Sequence, residues 1–211
     1  MISLFIDTSL VNVSISILKD GKVLSLIQKE IPNMHSSYTT KFIKDALDDA
    51  HIDANDVNNI MVVNGPGSFT GVRIGVTIAK TYGYLIKKDI TPISSLKCLA
   101  ISSDYTGIIL SMIPANKSDY YIGMYDDKYN IIEKERYAKK EDIITICNKY
   151  NPYIVSPDIS IIGKYKINKQ KLDIEKIVAY YQDKEKVNYH KLLPNYLKLP
   201  QALEANKWLK K

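Results

Sequence analysis

Four of the chain's nine glycines fall between positions 65 and 75, in Asn64-Gly65-Pro66-Gly67-Ser68-Phe69-Thr70-Gly71-Val72-Arg73-Ile74-Gly75. No other stretch limits the fold as much. Ahead of it, Ile60-Met61-Val62-Val63 is a short apolar run rich in β-branched residues, the mark of a buried strand. Behind it, residues 71–86 are long and periodic enough for a helix, so the local reading is strand, glycine-rich turn, helix. Ser68 or Thr70 supplies an N-cap, because a short side-chain oxygen there accepts from a free backbone N–H. Gly71, Gly75, Ala79 and Gly83 recur every fourth residue and form one row of small residues along the helix. A glycine inside a helix costs about 1 kcal/mol against alanine, so the row needs the close approach of another backbone to offset it. Val72, Ile74, Val76, Ile78, Tyr82, Leu85 and Ile86 make the other faces apolar, which implies burial on most sides: a sheet on one, a partner on another. The spacing leaves open which of the two the small row meets.

A turn leading into a helix N-terminus suits phosphate. The specific phosphate signatures fail, however. A Walker loop ends in Gly-Lys-Ser/Thr, whereas Gly71 is followed by Val72-Arg73. Gly65, Gly67 and Gly71 are spaced one residue too widely for the dinucleotide fingerprint. Ser68 directly follows Gly67, which breaks the G-x-S-x-G elbow of serine hydrolases. A tight turn whose glycines allow close packing stands beside the phosphate reading. The same pair of readings applies to Asp7-Thr8-Ser9, which sits at the first turn of an opening β-meander: it faces a nucleotide phosphate or bonds to backbone. Asp7, Thr8, Ser9, Gly67 and Ser68 are thus the weak candidates for a cofactor site.

The chain's 211 residues hold one large domain or two small lobes. No stretch reaches the apolar length of a transmembrane helix, and Asp7 interrupts the first apolar run, so no signal peptide is expected. Cys98 and Cys147 are unpatterned, which fits a reducing compartment, and the three histidines are isolated, so no metal site is expected. Positions 164–211 carry twelve lysines against five acids, a net +7 in a chain of +6. Without an aromatic-and-basic stacking pattern this reads as a solvated surface ahead of a tRNA-binding one.

In order, residues 2–7, 12–17 and 23–27 read as a meander turned at Asp20-Gly21. Ser36 or Ser37 caps a helix to Ala50, with Phe42, Ala46 and Ala50 on its apolar face. Residues 90–93 form a strand and Ser94-Ser95 starts a helix to Ile101. The pattern then restarts: strands at 107–112, 120–125 and 131–137, a helix at 141–150, a strand at 160–163 and a helix at 172–181. Residues 193–197 are extended, and Pro200 opens a last helix.

At residues 65–75 the chain closely resembles the signature of the TsaB (YeaZ-type) family, a subunit of the bacterial machinery that makes threonylcarbamoyladenosine in tRNA, next to the anticodon. Ile6-Asp7-Thr8-Ser9, His35-Ser36 and Pro194-Asn195-Tyr196-Leu197-Lys198 are similar to that family too, so the resemblance covers over half the chain. It implies an α/β, two-lobe actin/Hsp70-like (ASKHA) fold of tandem βββαβα-type lobes, the second reduced, divided as 1–103 and 104–211, with the last helix packing back on the first lobe. It also implies a cytoplasmic, non-catalytic scaffold that binds the catalytic paralogue TsaD, with the ATPase subunit TsaE in a larger complex. ATP or ADP is then expected on, or shared with, the catalytic partner, and no cofactor on this chain alone. Phe42, Ala46, Ala50, Gly75, Ala79 and Tyr82 are expected to face the partner. Homodimerisation and tRNA contact are left open.

Two departures stand out: Pro114-Ala115-Asn116 replaces the family's frequent Asp-Ala-Arg, and Lys198 replaces an arginine. The catalytic paralogue carries a His-x-x-x-His metal pair and a Gly-Gly loop; here Thr39 follows His35 at that spacing and no Gly-Gly occurs. A stand-alone ATP-binding or kinase-like enzyme and a glycoprotease-like catalytic subunit are the alternative readings.

Overall fold

The computed structural model describes residues 1–31, 35–116, 118–157 and 161–198. The first half runs β1 (Ile2–Asp7), β2 (Asn12–Lys19), β3 (Lys22–Glu30), α1 (His35–Ala50), β4 (Asn59–Gly65), α2 (Phe69–Ile86), β5 (Ile90–Ser94) and α3 (Ser95–Ile101). The second runs β6 (Ile109–Pro114), β7 (Asp119–Tyr125), β8 (Ile131–Lys139), α4 (Lys140–Tyr150), β9 (Tyr153–Ser156), β10 (Ile161–Ile162), β11 (Tyr165–Lys166), β12 (Asn168–Lys169) and α5 (Ile174–Tyr181).

One sheet has the order β3-β2-β1-β4-β5, the other β8-β7-β6-β9-β12. In each, the first three strands pair antiparallel, and the other two join parallel. The two halves therefore repeat one topology, the two-lobe α/β arrangement that the resemblance implies. The reduction of the second lobe is local. α4 occupies the connection that α1 occupies in the first, but the small β10–β11 hairpin stands where α2 would be, and β12 has two residues against five in β5.

Strand alternation decides the layers. Leu4 and Ile6 of β1, with Ile60 and Val62 of β4, point to the outer face and pack under α1 and α2. Phe5, Met61 and Val63 point inward, against Cys98 and Ile101 of α3 and Ile174, Ile177 and Val178 of α5. In the second sheet Leu110 and Met112 meet α4 on the outer face, while Ile109 and Ile113 meet Leu96 and Leu99 of α3. α3 and α5 thus fill the space between the sheets.

α5 follows the second sheet in sequence but is tied to the first. Glu175 accepts from the Val23 N–H at 3.0 Å and from Lys22 Nζ at 2.9 Å. Val187, Tyr189 and Leu192 likewise join the outer core of the first sheet, so the segment 172–192 packs with residues 1–103.

Several boundaries move. Ser68 is the N-cap of α2, which places Thr70 inside the helix. α1 already begins at His35, which places Ser36 and Ser37 within its first turn and not ahead of it. Strand β9 was not anticipated at all; its four residues sit between the end of α4 and Pro157 and are too few to show alternation. The helix expected from Pro200 onward lies outside the described residues.

Candidate functional site

Asp7, Thr8, Ser9, Gly67 and Ser68 do come together, but on one another. The turn after β1 lies against the start of α2. The Ser68 N–H donates to the Ser9 carbonyl at 2.8 Å, and the Thr8 hydroxyl donates to the Gly71 carbonyl at 2.6 Å. Ser68 Oγ caps the helix by accepting from the Gly71 N–H at 3.2 Å. A methyl group on Gly67 would stand 2.2 Å from the Ser9 carbonyl oxygen, on Gly71 2.0 Å from that of Thr8, and on Gly75 2.5 Å from Thr8 Oγ1. At Gly71 and Gly75 this is the close approach that the small row requires, and its partner is the chain's own turn; Gly83 instead meets the Lys88 carbonyl and Tyr189. Asp7, Thr8 and Ser9 are at most 1% exposed, so the expectation that they face a nucleotide phosphate gives way to the packing reading.

Burial also shapes the acid–base character of this corner. Desolvation pushes the Asp7 carboxyl up to about 6, against the pull of the Ser9 side-chain and backbone N–H donors, both at Asp7 Oδ1 (2.7 and 2.8 Å). Burial, with Asp7 and then Glu135 nearby, likewise drives the Cys98 thiol far up, which keeps it protonated and unreactive.

The six residues expected to face a partner divide. Phe42, Ala46, Gly75 and Ala79 are buried in the first lobe, the first two under β2 and β3 and the glycine against Thr8 and Val62. An amphipathic helix face shows only that something covers it, and here the sheet does. Those four are corrected to core. Ala50 and Tyr82 are half-buried, and the Tyr82 hydroxyl donates to the Ala54 carbonyl at 3.0 Å. The outward side of α2 keeps Leu85 69% exposed and Ile74 and Ile78 half-buried.

An open part of the molecule lies beside the sealed turn. A cavity of about 390 Å³ is bounded by Pro66, Gly67 and Phe69 of the first lobe, by Ala115, Asn116, Tyr121 and Tyr137 of the second, and by the segment 195–198 that crosses between them. That segment is fastened at both sides. The Asn195 N–H donates to the Asn64 carbonyl at 2.7 Å, the Asn64 amide to the Leu193 carbonyl at 3.0 Å, and Arg73 Nε to the Tyr196 hydroxyl at 2.8 Å. On the second lobe, Lys198 Nζ donates to the Tyr137 hydroxyl at 3.1 Å. Glu135 joins the two sheets from behind, accepting from Tyr125 Oη at 2.7 Å, from Asn195 Nδ2 at 3.3 Å and from Ser94 Oγ. Tyr121 and Tyr137 escaped the sequence reading, and Tyr196 entered it only within the closing motif, because their pairing depends on strand register and on a return of the chain. Asn116 and Lys198, singled out as departures from the family pattern, both line the cavity.

Among the described residues, no group of three or more His, Cys, Asp or Glu is gathered as a metal site.

A protein-family model described as "TsaD: tRNA N6-adenosine threonylcarbamoyltransferase" matches residues 29–202. The chain is 33% identical over 135 residues to the tRNA threonylcarbamoyladenosine biosynthesis protein TsaB of Bacillus subtilis (strain 168), an alignment covering 64% of this chain and 59% of that protein. To a tRNA N6-adenosine threonylcarbamoyltransferase of Anaplasma marginale (strain St. Maries) it is 30% identical, over 46% of this chain and 32% of that protein. The chain thus spans less than two thirds of the curated relatives it matches. In three dimensions it is similar to a crystal structure from Pseudomonas aeruginosa described as an uncharacterized protein with similarity to peptidase YEAZ. The TM-score is 0.78 at 21% identity, over 93% of this chain and 99% of that one, which shows the shared fold.

Proposed function

Because the chain belongs to the family described as TsaD: tRNA N6-adenosine threonylcarbamoyltransferase, we propose that it serves in threonylcarbamoyladenosine formation in tRNA as a TsaB-type, non-catalytic subunit. The observation that carries this reading is the sealed corner. In the strand–turn–helix unit, the space in which a helix N-terminus would cradle a phosphate is filled by the Thr8 and Ser9 backbone. Extent of match favours the same side. The TsaB relative of Bacillus subtilis is covered over 59% of its length, whereas the named transferase is covered over 32%.

The partner is then a catalytic relative of TsaD type, with a TsaE-type ATPase in the larger assembly, and the nucleotide belongs to the partner or to the shared interface. The outward side of α2 around Ile74, Ile78 and Leu85, bordered by Ala50 and Tyr82, supplies the contact. No helix among the described residues is long and apolar enough to cross a membrane, and Cys98 and Cys147 are both free and buried; a cytoplasmic place fits both. Co-purification with a TsaD-type protein, followed by tRNA modification assayed with each chain alone and with both, tests the proposal. Modification is expected only when both are present. Metal-dependent turnover of ATP or modification of tRNA by this chain alone would sink it.

A further inference from the structure

The cavity between the lobes is lined by aromatic rings and flanked by cations. On the first-lobe side Phe69 and Tyr196 stack at 5.1 Å and 30°, with the Arg73 guanidinium 3.9 Å from the Phe69 centroid. On the second-lobe side Tyr121 and Tyr137 meet edge-on at 6.0 Å, with Lys198 Nζ 4.2 Å from the Tyr137 centroid. Each wall thus pairs aromatic rings with one cation. The nearest acid, Asp119, is engaged: the Tyr137 hydroxyl and the Asn116 amide both donate to it and hold its carboxyl below the usual range, with Lys198 and Lys139 nearby. Glu135, behind Asn195, is occupied by its three donors. Held low, Asp119 is ionised, so the opening carries both signs, with Arg73, Lys198 and Lys139 as its cations.

A volume of about 390 Å³ falls in the roughly 300–1,000 Å³ range of small-ligand sites. A purely apolar ligand would not explain the cations, and bare phosphate would leave the rings unused. A flat heteroaromatic group carrying a phosphate uses both. Stacking on aromatic side chains tolerates any base, while lysine and arginine hold the backbone phosphates. In a paired A-form helix the bases are stacked inside and cannot reach such a wall, so the ring-lined cavity selects an unpaired one. We propose that this groove takes an unpaired nucleotide of the substrate RNA, its base against Tyr137 and Phe69 and its phosphate toward Arg73 and Lys198. The identity of the polymer rests on the tRNA-modification reading; the ligand chemistry does not.

Fluorescence anisotropy on the full chain tests this, with a short labelled single-stranded RNA, the same sequence in a duplex, and AMP as the free nucleotide. Single strands are expected to bind more tightly than the duplex. Tyr137→Leu should weaken that binding at least about fivefold, the loss of one base–aromatic stack, while Tyr137→Phe, which keeps the ring, should not. Lys198→Gln should lower the slope of log affinity against log salt by about 0.7. Phe69→Leu, at a half-open position, serves if Tyr137→Leu fails to fold. Equal binding of duplex and single strand, or indifference to loss of either ring, overturns the proposal. So does binding of AMP without affinity for the single strand, which gives the groove to a free nucleotide. Modification assays with the catalytic relative separate the two levels. Modification that persists without single-strand binding by this chain discards the groove and leaves the proposed function standing. No modification beside intact, ring-dependent binding does the reverse.

Discussion

The two sheets share a strand order, yet their corresponding corners have opposite fates. After β1 the chain turns through Thr8 and Ser9 directly under the start of α2, and glycines at 67, 71 and 75 let the two backbones close on each other. After β6 it turns through Ala115 and Asn116, which line the interlobe cavity. The connection that holds α2 in the first lobe holds only the β10–β11 hairpin in the second. A helix driven onto a turn makes that turn core. The corner that escapes such cover is where rings and cations gather. Within one repeated topology, then, packing has consumed one potential site and left the other open.

Four substitutions sharpen the contrast, in falling order of effect. Phe42→Glu should be the most damaging. Phe42 is 4% exposed beneath β2 and β3, and an unpaired carboxylate there costs well over about 3 kcal/mol. Circular dichroism should show the cooperative unfolding transition lost; a native melt would show that the α1 stripe is not core. Gly71→Ala comes next, at about 3 kcal/mol or more, because its methyl group meets a backbone carbonyl that cannot step aside. The matched control is Gly163→Ala in the hairpin region, where the nearest atoms are the flexible end of Ile144 at 3.6 Å and the left-handed φ of +58° costs about 1–2 kcal/mol. Urea midpoints that rank these two the other way would break the account of the sealed corner.

Asp7→Asn probes the same corner through pH. Burial raises the Asp7 carboxyl from 3.8 to about 6, so between those values the folded state binds more protons than the unfolded. The sign follows: the burial penalty is absent below the lower value, grows as pH rises, and is complete above the upper one. At neutral pH the variant should therefore be more stable by up to about 3 kcal/mol, with the gain vanishing toward pH 4. Asp20, Asp119, Asp126 and Glu175 are held low by their hydrogen bonds and push stability the opposite way in acid, so the informative quantity is the difference between the two proteins. A constant offset across the range would show that Asp7 does not titrate there.

The sequence carried the first lobe well, because its signals are local. An apolar run marks β1, alternation marks β2, Asp20-Gly21 marks the β2–β3 hairpin, and a fourfold spacing of small residues marks a helix pressed against another backbone. What that backbone was could not be read, since periodicity gives a face and not its neighbour; the Phe42 stripe and the small row were legible as contacts and illegible as core. The apolar face of α5, Ile174, Ile177, Val178 and Tyr181, was visible, but not its placement against the opposite sheet. The groove was hidden for a related reason. Phe69, Tyr121, Tyr137 and Tyr196 are scattered along the chain; the β7–β8 register pairs Tyr121 with Tyr137, and the return of residues 193–198 brings Tyr196 onto Phe69.

The smallest effect is expected where the two lobes are tied, at Asn195→Ala. The Asn195 side chain reaches Glu135 at 3.3 Å, a long bond, and Glu135 keeps the Tyr125 and Ser94 hydroxyls when it is gone. The tie itself runs through groups that the substitution does not remove: the Asn195 N–H on the Asn64 carbonyl, the Asn64 amide on the Leu193 carbonyl, and Arg73 on Tyr196. The bond lost is a long one to Glu135 Oε2, while both hydroxyls stay on Oε1, so the cost is about 1 kcal/mol. Calorimetry should then show one transition, slightly lowered, because α3 and α5 still fill the space between the sheets. Two resolved transitions, one per sheet, would mean that this amide couples the lobes and that the layer between them does not.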